Sequence, residues 1–182
     1  MKRLIIIMPV LIIFILFRPY YLLTRDILNE NGDFISESFG IKFKKPMEEL
    51  SFSVEPAILN IPGAMVEYFE RNKRISFLIA GYKTRDSVYK VGEALRYHFS
   101  QYAINIQILE NNIWLLKKNA NVLFQRYVGF IKNFMFYFNI YILVHREDRE
   151  RKVCLIVSSP YEYFSGLMKS GQRAYDNLNF YR

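Results

Sequence analysis

The sequence contains few of the residues from which metal sites and catalytic sites are usually built. Its 182 residues include one cysteine, Cys154, and two histidines, His98 and His145. A single cysteine excludes an intramolecular disulfide, and neither histidine has a second histidine or a cysteine at the spacing of a zinc site. Cys154 lies inside the apolar run 153–157, where a thiol is expected to be buried and unreactive. We therefore predict no metal site and no cofactor.

Motifs of nucleophilic and phosphate-handling enzymes are also missing. The serine pair at 158–159 lacks the G-x-S-x-G turn of a serine hydrolase, and the segment 80–84 has one glycine where a P-loop needs several. Glu93, Glu110 and Glu162 have no paired carboxylate or apolar surroundings that would favour general acid catalysis. We therefore predict that the chain is not an enzyme.

A long apolar run is present at the start of the chain. Positions 4–17 are wholly apolar, and as a helix these roughly 14 residues would span about 21 Å, the length of a signal-peptide core. Bulky residues follow where cleavage would need small ones, and a helix continued to residue 23 reaches about 20 residues. We therefore predict an uncleaved signal-anchor transmembrane helix over residues 1–23. The predicted anchor residues are Leu4, Ile5, Ile6, Ile7, Phe14, Phe17, Arg18, Tyr20 and Tyr21.

The charges around this run predict its orientation. Lys2 and Arg3 precede the apolar residues, which by the positive-inside rule places the N-terminus in the cytoplasm. The bulk of the chain is then expected on the extracytoplasmic side, periplasmic or equivalent, as part of a single-pass membrane protein.

The rest of the chain divides into a spacer and one domain. Residues 24–60 have mixed composition with a turn signal at 29–33, and predict a linker with a possible short strand at 50–54. Its lysines either contact anionic headgroups or form a solvated face. Residues 61–182 carry the apolar patterns of a single core and predict an α+β domain.

Hydrophobic spacing predicts the elements of that domain. Helices are expected from Pro62 to Arg71, from a Thr84 cap, over 123–131 and after Ser159, and strands over 75–82, 104–108, 113–116, 135–144 and 153–157. This order predicts a ferredoxin-like layered domain, a mostly antiparallel sheet with helices on one face, extended by a C-terminal hairpin arm and helix. The fold class is common to many activities and does not indicate one.

The net charge of +8 raises the question of nucleic acid as a partner. Basic residues interleaved with tyrosines are typical of RNA-binding sheets. The RNP motif of that class is missing, and a domain outside the cytoplasm would not meet nucleic acid. We therefore expect that the chain does not bind nucleic acid.

One predicted strand presents a second apolar face. If Phe136 and its alternate neighbours point into the core, the opposite face carries tyrosine and methionine, a composition typical of protein interfaces. Either a partner or a second layer of the same chain covers it. Aromatic residues also occupy the C-terminal tail. The predicted interface residues are Met135, Tyr137, Asn139, Tyr141, Leu143, Phe180 and Tyr181.

These observations favour a membrane-anchored, non-catalytic protein-interaction subunit or assembly factor of a membrane-associated complex. Its expected partners are other proteins of that complex, and a homo-oligomer is compatible with the same pattern. Two alternatives remain from the sequence: a membrane-anchored enzyme or ligand-binding domain with an unrecognised cleft, and a basic module that binds lipid or RNA on the cytoplasmic side.

Overall fold

The computed structural model describes residues 26–54 and 60–181. Within these residues eleven strands, two α-helices and one 3-10 helix follow one another. They are β1 (Asp26–Leu28), β2 (Phe34–Ser36), β3 (Ile41–Phe43), β4 (Ser51–Ser53), β5 (Ala64–Glu70), β6 (Ile75–Lys83), α1 (Val88–Tyr102), β7 (Ile104–Lys117), β8 (Ala120–Ile131), β9 (Phe134–His145), β10 (Arg151–Pro160), the 3-10 helix (Tyr161–Tyr163), α2 (Phe164–Asn177) and β11 (Leu178–Phe180).

The strands form two antiparallel sheets. The small sheet has the order β1-β2-β3-β11, and the large sheet has the order β4-β5-β6-β10-β9-β8-β7. In the middle of the large sheet, Leu155 of β10 lies opposite Ile79 of β6 and Tyr141 of β9. The short strand β11 pairs with β3, so that strands far apart in the sequence meet in the small sheet.

Both faces of the large sheet are covered. On one face, α1 packs Leu95 and Phe99 against residues such as Ile140 and Ile156. On the other face, the small sheet and the C-terminal half of α2 enclose a second cluster around Tyr68. The described chain is therefore a three-layer structure with the large sheet in the middle.

This architecture shows that the predicted fold class is wrong. The structure is mostly antiparallel sheet, its two α-helices lie on opposite faces of the large sheet, and a second sheet adds a layer. The error arises because strands that are buried on both sides do not alternate apolar with polar residues. Apolar residues in 122–131 recur at helical spacing for this reason, although the segment belongs to the 12-residue strand β8.

The predicted helix from Pro62 is also wrong, because this segment contains strand β5. Gly63 has a φ of +77°, a left-handed conformation that turns the chain before the strand begins. The Gly63 carbonyl accepts a hydrogen bond from the Gly81 backbone at 2.9 Å, and the Tyr82 hydroxyl donates to the Pro62 carbonyl at 2.7 Å. These bonds tie the segment to the neighbouring strand β6 from its first residues.

The predicted hairpin at 104–116 is a single strand, β7. The asparagines at 111 and 112, expected to form its turn, are instead accommodated by a shift in register between Glu110 and Ile113. Asn112 has φ 59°, and both asparagine side chains accept hydrogen bonds from the Gln125 amide at 3.0 and 3.1 Å. A β-bulge therefore replaces the turn.

Several expected elements are confirmed. Strand β6 covers the predicted run 75–82, the β9–β10 hairpin is present, and a helix follows Ser159 after one 3-10 turn. The helix predicted after Thr84 is α1, although its N-cap is Ser87, whose hydroxyl accepts from the Lys90 backbone.

The predicted linker, residues 24–60, contributes strands to both sheets. Within it lie β1, β2 and β3 of the small sheet and β4 of the large sheet. Phe34, Ile41 and Phe43 are fully buried in the cluster between the large sheet and the small sheet. These strands have three residues each, too few for an alternating pattern to be recognised.

The predicted transmembrane helix, residues 1–23, lies outside the described residues. The two helices that the structure describes have 15 and 14 residues, and neither is long and apolar enough to cross a membrane. On this finding the prediction of a single-pass membrane protein with an extracytoplasmic domain is wrong.

Candidate functional site

The predicted interface face on β9 is largely covered by the chain itself. Asn139, Tyr141 and Leu143 are buried, and the Tyr141 ring stacks on Tyr175 of α2 with centroids 4.9 Å apart. The Asn139 side-chain oxygen accepts a hydrogen bond from Arg126 at 2.8 Å. The second layer of the same chain, which the sequence left open as an alternative, thus occupies this face.

The remaining predicted interface residues are not brought together. Tyr137 is half-buried and stacks on Phe164 at the start of α2, with centroids 4.0 Å apart. Met135 is half-buried near the same end of β9. Phe180 is buried against His145, whereas Tyr181 is exposed.

A cleft of about 770 Å³ lies elsewhere, between the start of α1, the β7–β8 hairpin and the β9–β10 loop. Val144 and Asn121 line it from the large sheet, and Trp114 and Tyr89 line it from β7 and α1. Three separate elements converge on this cleft, so its shape depends on the complete fold.

Trp114, the single tryptophan of the chain, is the largest side chain of this cleft. It is 49% exposed, and the neighbouring Tyr89 is 43% exposed. The two rings meet edge-to-face with centroids 6.1 Å apart, and the indole Nε1 donates to the Tyr89 hydroxyl at 3.2 Å. This bond and ring contact hold the indole in position while much of its surface remains open to solvent.

The charges lining the cleft are mostly positive. Arg85 pairs with Glu150 at 2.9 Å, which neutralises one positive charge. The Arg146 guanidinium donates to the Lys117 carbonyl at 3.1 Å. Among the ion pairs of the described residues, none involves Arg146 or Arg149. These two arginines therefore carry positive charge that is not held in an ion pair with a described carboxylate.

Lys152 has a structural role at the floor of the cleft. It is buried, and its ammonium donates to the Thr84 carbonyl at 2.7 Å and the Arg149 carbonyl at 2.8 Å. These bonds join the start of the α1 segment to the β9–β10 loop. The ammonium thereby fixes two walls of the cleft relative to each other.

Strand β7 adds an exposed apolar edge beside the cleft. It is an outer strand of the large sheet and pairs with β8. Leu116 is 84% exposed and lies on the same face as Trp114, since alternate residues of a strand share a face. We call Tyr89, Trp114, Leu116, Arg146 and Arg149 the Trp114 surface.

Metal-ligand clusters and exposed thiols are not found among the described residues. No group of three or more histidine, cysteine, aspartate or glutamate side chains placed to hold a metal occurs within residues 26–54 and 60–181. Complete burial raises the pKa of the Cys154 thiol, with a smaller opposing effect of Lys152. The arrangement is suited to contact by aromatic, apolar and cationic groups.

Sequence reasoning missed the Trp114 surface. The predicted hairpin placed Trp114 in its second short strand, and the helix predicted after Thr84 gave Tyr89 no functional role. The usable signal was the composition of 113–116, where one tryptophan and three aliphatic residues stand next to the basic turn at Lys117 and Lys118.

Comparison with known proteins assigns no family. No family model matches the chain, and no curated protein matches it. Among solved structures, the chain is similar to the Ran-binding protein Mog1p of Saccharomyces cerevisiae, with 10% sequence identity and a TM-score of 0.49, over 86% of this chain and 95% of that chain. A likeness of this size carries no argument about function.

Proposed function

We propose that this chain is a non-catalytic protein-interaction module, a subunit or assembly factor of a multiprotein complex, that contacts its partner through the Trp114 surface. The supporting observation is the half-exposed indole of Trp114, oriented by Tyr89 and flanked by Arg146 and Arg149. Tryptophan, tyrosine and arginine are the residue types enriched among the few that dominate protein-binding energies.

The exposed area at this surface supports the same proposal. A tryptophan side chain buries 150–250 Å² or so when it is fully enclosed, and about half of Trp114 is still available to a partner. Leu116 adds an aliphatic side chain that has little contact within the described chain. Burial of these groups by a partner would be favourable, because each Å² of apolar surface removed from water contributes roughly 25 cal/mol.

Site-directed photo-crosslinking in the native cell tests the proposal. A benzoylphenylalanine introduced at Leu116 is expected to crosslink a specific protein, whereas the same group at Ile27, exposed on the small sheet, is not. The captured protein is then purified and its affinity for the chain is measured. Trp114→Ala is expected to weaken binding roughly 30-fold or more, the effect of losing a dominant contact of about 2 kcal/mol.

Tyr97→Ala is the matched control, because it removes another exposed aromatic ring, on α1. It is expected to change the affinity less than twofold. Equal crosslinking from both positions, unchanged affinity of Trp114→Ala, or crosslinks to RNA or lipid alone would each reject the proposed function.

A further inference from the structure

The outer edge of β7 differs along its length. Register shifts occur between Ile104 and Gln107, between Ile108 and Glu110, and between Glu110 and Ile113. From Ile113 to Lys117 the pairing with β8 runs without interruption. Bulges are a common device by which proteins make an edge strand unsuitable for pairing. This protection is present over 104–112 and missing over 113–117.

Other devices that block edge pairing are weak over 113–117. The segment contains no proline, and its one charged residue, Lys117, has its ammonium turned to the end of α2, where it donates to the Tyr175 and Asp176 carbonyls. Among the described residues, no strand pairs with this outer edge. Every second residue of an antiparallel edge strand directs its N–H and C=O away from its neighbour, so a short open ladder faces outward here.

Resting on the proposed function, we infer that the partner contributes an extended acidic–apolar segment that pairs with the edge of β7 over 113–117. Backbone hydrogen bonds to the edge would provide affinity, and alternate side chains would provide specificity, as in other cases of strand addition. On the face of the cleft, apolar partner side chains would lie beside Trp114 and Leu116.

Charge complementarity determines the polar positions of that segment. Arg146 and Arg149 line the cleft, and Lys118 directly follows β7. The two carboxylates that line the cleft, Asp86 and Glu150, form ion pairs with Lys90 and Arg85. Glutamate or aspartate in the partner would compensate this positive charge, whereas lysine would be repelled. Such complementarity acts mainly on association rate and on partner choice.

Three defined peptides test this inference. The first is an acetylated and amidated hexapeptide of alternating glutamate and valine, the second has lysine in place of glutamate, and the third is the first with alternate amides N-methylated. Since the chain has one tryptophan, its emission reports binding at Trp114 directly. We expect saturable binding of the first peptide with a dissociation constant below about 1 mM, and at least tenfold weaker binding of the other two.

A pair of charge reversals locates the site on the protein. Arg149→Glu is expected to weaken the glutamate peptide at least tenfold, whereas Lys169→Glu, an equal charge change at an exposed position of α2, is expected to change it less than threefold. Equal binding of the N-methylated peptide would overturn strand pairing. The absence of saturable binding would overturn the inference as a whole.

A concentration-dependent dimer that Leu116→Glu dissociates would also overturn it, because a second copy would then occupy the edge. The crosslinking experiment remains independent of these outcomes. A partner protein that depends on Trp114 but does not compete with the glutamate peptide would keep the proposed function and reject this mode of recognition.

Discussion

Glu67, Ser76 and Ser158 are polar side chains that the large sheet buries completely. The Ser76 hydroxyl donates to a Glu67 carboxylate oxygen, and Ser158 lies directly opposite Ser76 in the register of β10 and β6. The Ser158 hydroxyl is buried and has no hydrogen-bond partner among the described residues. Two serines at neighbouring positions therefore have opposite energetic roles.

Alanine substitutions at these two serines should affect stability differently. Ser158→Ala removes an unsatisfied hydroxyl, so we expect a free energy of unfolding that is unchanged or higher by about 1 kcal/mol. Ser76→Ala removes one hydrogen-bond donor from the buried Glu67 carboxylate, and we expect a loss of about 1–3 kcal/mol. Urea denaturation measures both free energies of unfolding, provided that the variants and the parent chain have equal m-values. A loss above about 1 kcal/mol for Ser158→Ala would mean that this hydroxyl has a partner.

The β8–β9 hairpin illustrates how a turn position constrains an element. Ile131 and Phe134 are paired across it, and Lys132, the first of the two loop residues, has φ 56°. A left-handed conformation costs a non-glycine residue about 1–3 kcal/mol, whereas glycine adopts it without steric cost. The lysine therefore holds the turn at some expense of stability.

Lys132→Gly should raise the free energy of unfolding by up to about 1 kcal/mol, because the relief of strain exceeds the extra entropy of the unfolded chain. Lys132→Val should lower it by at least about 1 kcal/mol, since a β-branched residue is strongly disfavoured at positive φ. Thermal and urea unfolding of both variants measure this. A less stable glycine variant would show that the lysine side chain itself contributes to the hairpin.

The number of buried faces explains which elements the sequence could predict. The sequence predicts strand β6 because a largely apolar run over 75–82 is bounded by Arg74 and Lys83, and it predicts α1 because polar residues recur at helical spacing on its exposed side. The sequence predicts a helix in place of strand β8, because α1 covers Leu123 while the small sheet and α2 lie over Phe124, so that adjacent residues are both apolar. Periodicity reports exposure, and a strand without an exposed face has no period of two.

The candidate site could not be predicted for a related reason. Trp114 was assigned to a hairpin because asparagines normally mark turns, and nothing local distinguishes a turn from the bulge that Gln125 stabilises. The cleft also needs Tyr89 and Arg149, which come from an element before β7 and a loop after it. Its composition is visible in the sequence, but its assembly is a property of the fold.

The small sheet joins the first described strands of the chain to its last strand. Residues 26–43 and 178–180 form one sheet, and Tyr68 of the large sheet donates to the Gly32 carbonyl at 2.7 Å. The Phe34 and Phe180 side chains close the same cluster. Removing either segment would expose one face of the large sheet, so residues 26–43 are part of the folded unit.

The buried tyrosines of the core make the free energy of unfolding depend on pH in the alkaline range. Burial raises the pKa of Tyr127 and Tyr141 to about 12, and that of Tyr68 and Tyr82 further, with smaller effects of nearby charges. In the unfolded chain a tyrosine ionises near pH 10 or so. Above that pH the unfolded state binds fewer protons than the folded state, so the free energy of unfolding must fall as pH rises.

Each of these tyrosines contributes a slope of about 1.4 kcal/mol per pH unit once the pH is well above its unfolded pKa and still below its folded pKa. Burial lowers the pKa of Lys117 to about 8, so this group alone adds stability as the pH rises from about 8 to 10.5. Because four tyrosines outweigh one lysine, we expect the urea midpoint to fall steeply from pH 10 to 11. Tyr141→Phe should reduce the slope by the contribution of one group, whereas Tyr97→Phe, at an exposed position, should leave it unchanged.

Absorbance at 295 nm follows phenol ionisation in the same samples. Ionisation of the buried tyrosines should coincide with unfolding, because the folded layers exclude the phenolate; a gradual ionisation that precedes unfolding would show that water reaches these rings in the folded molecule.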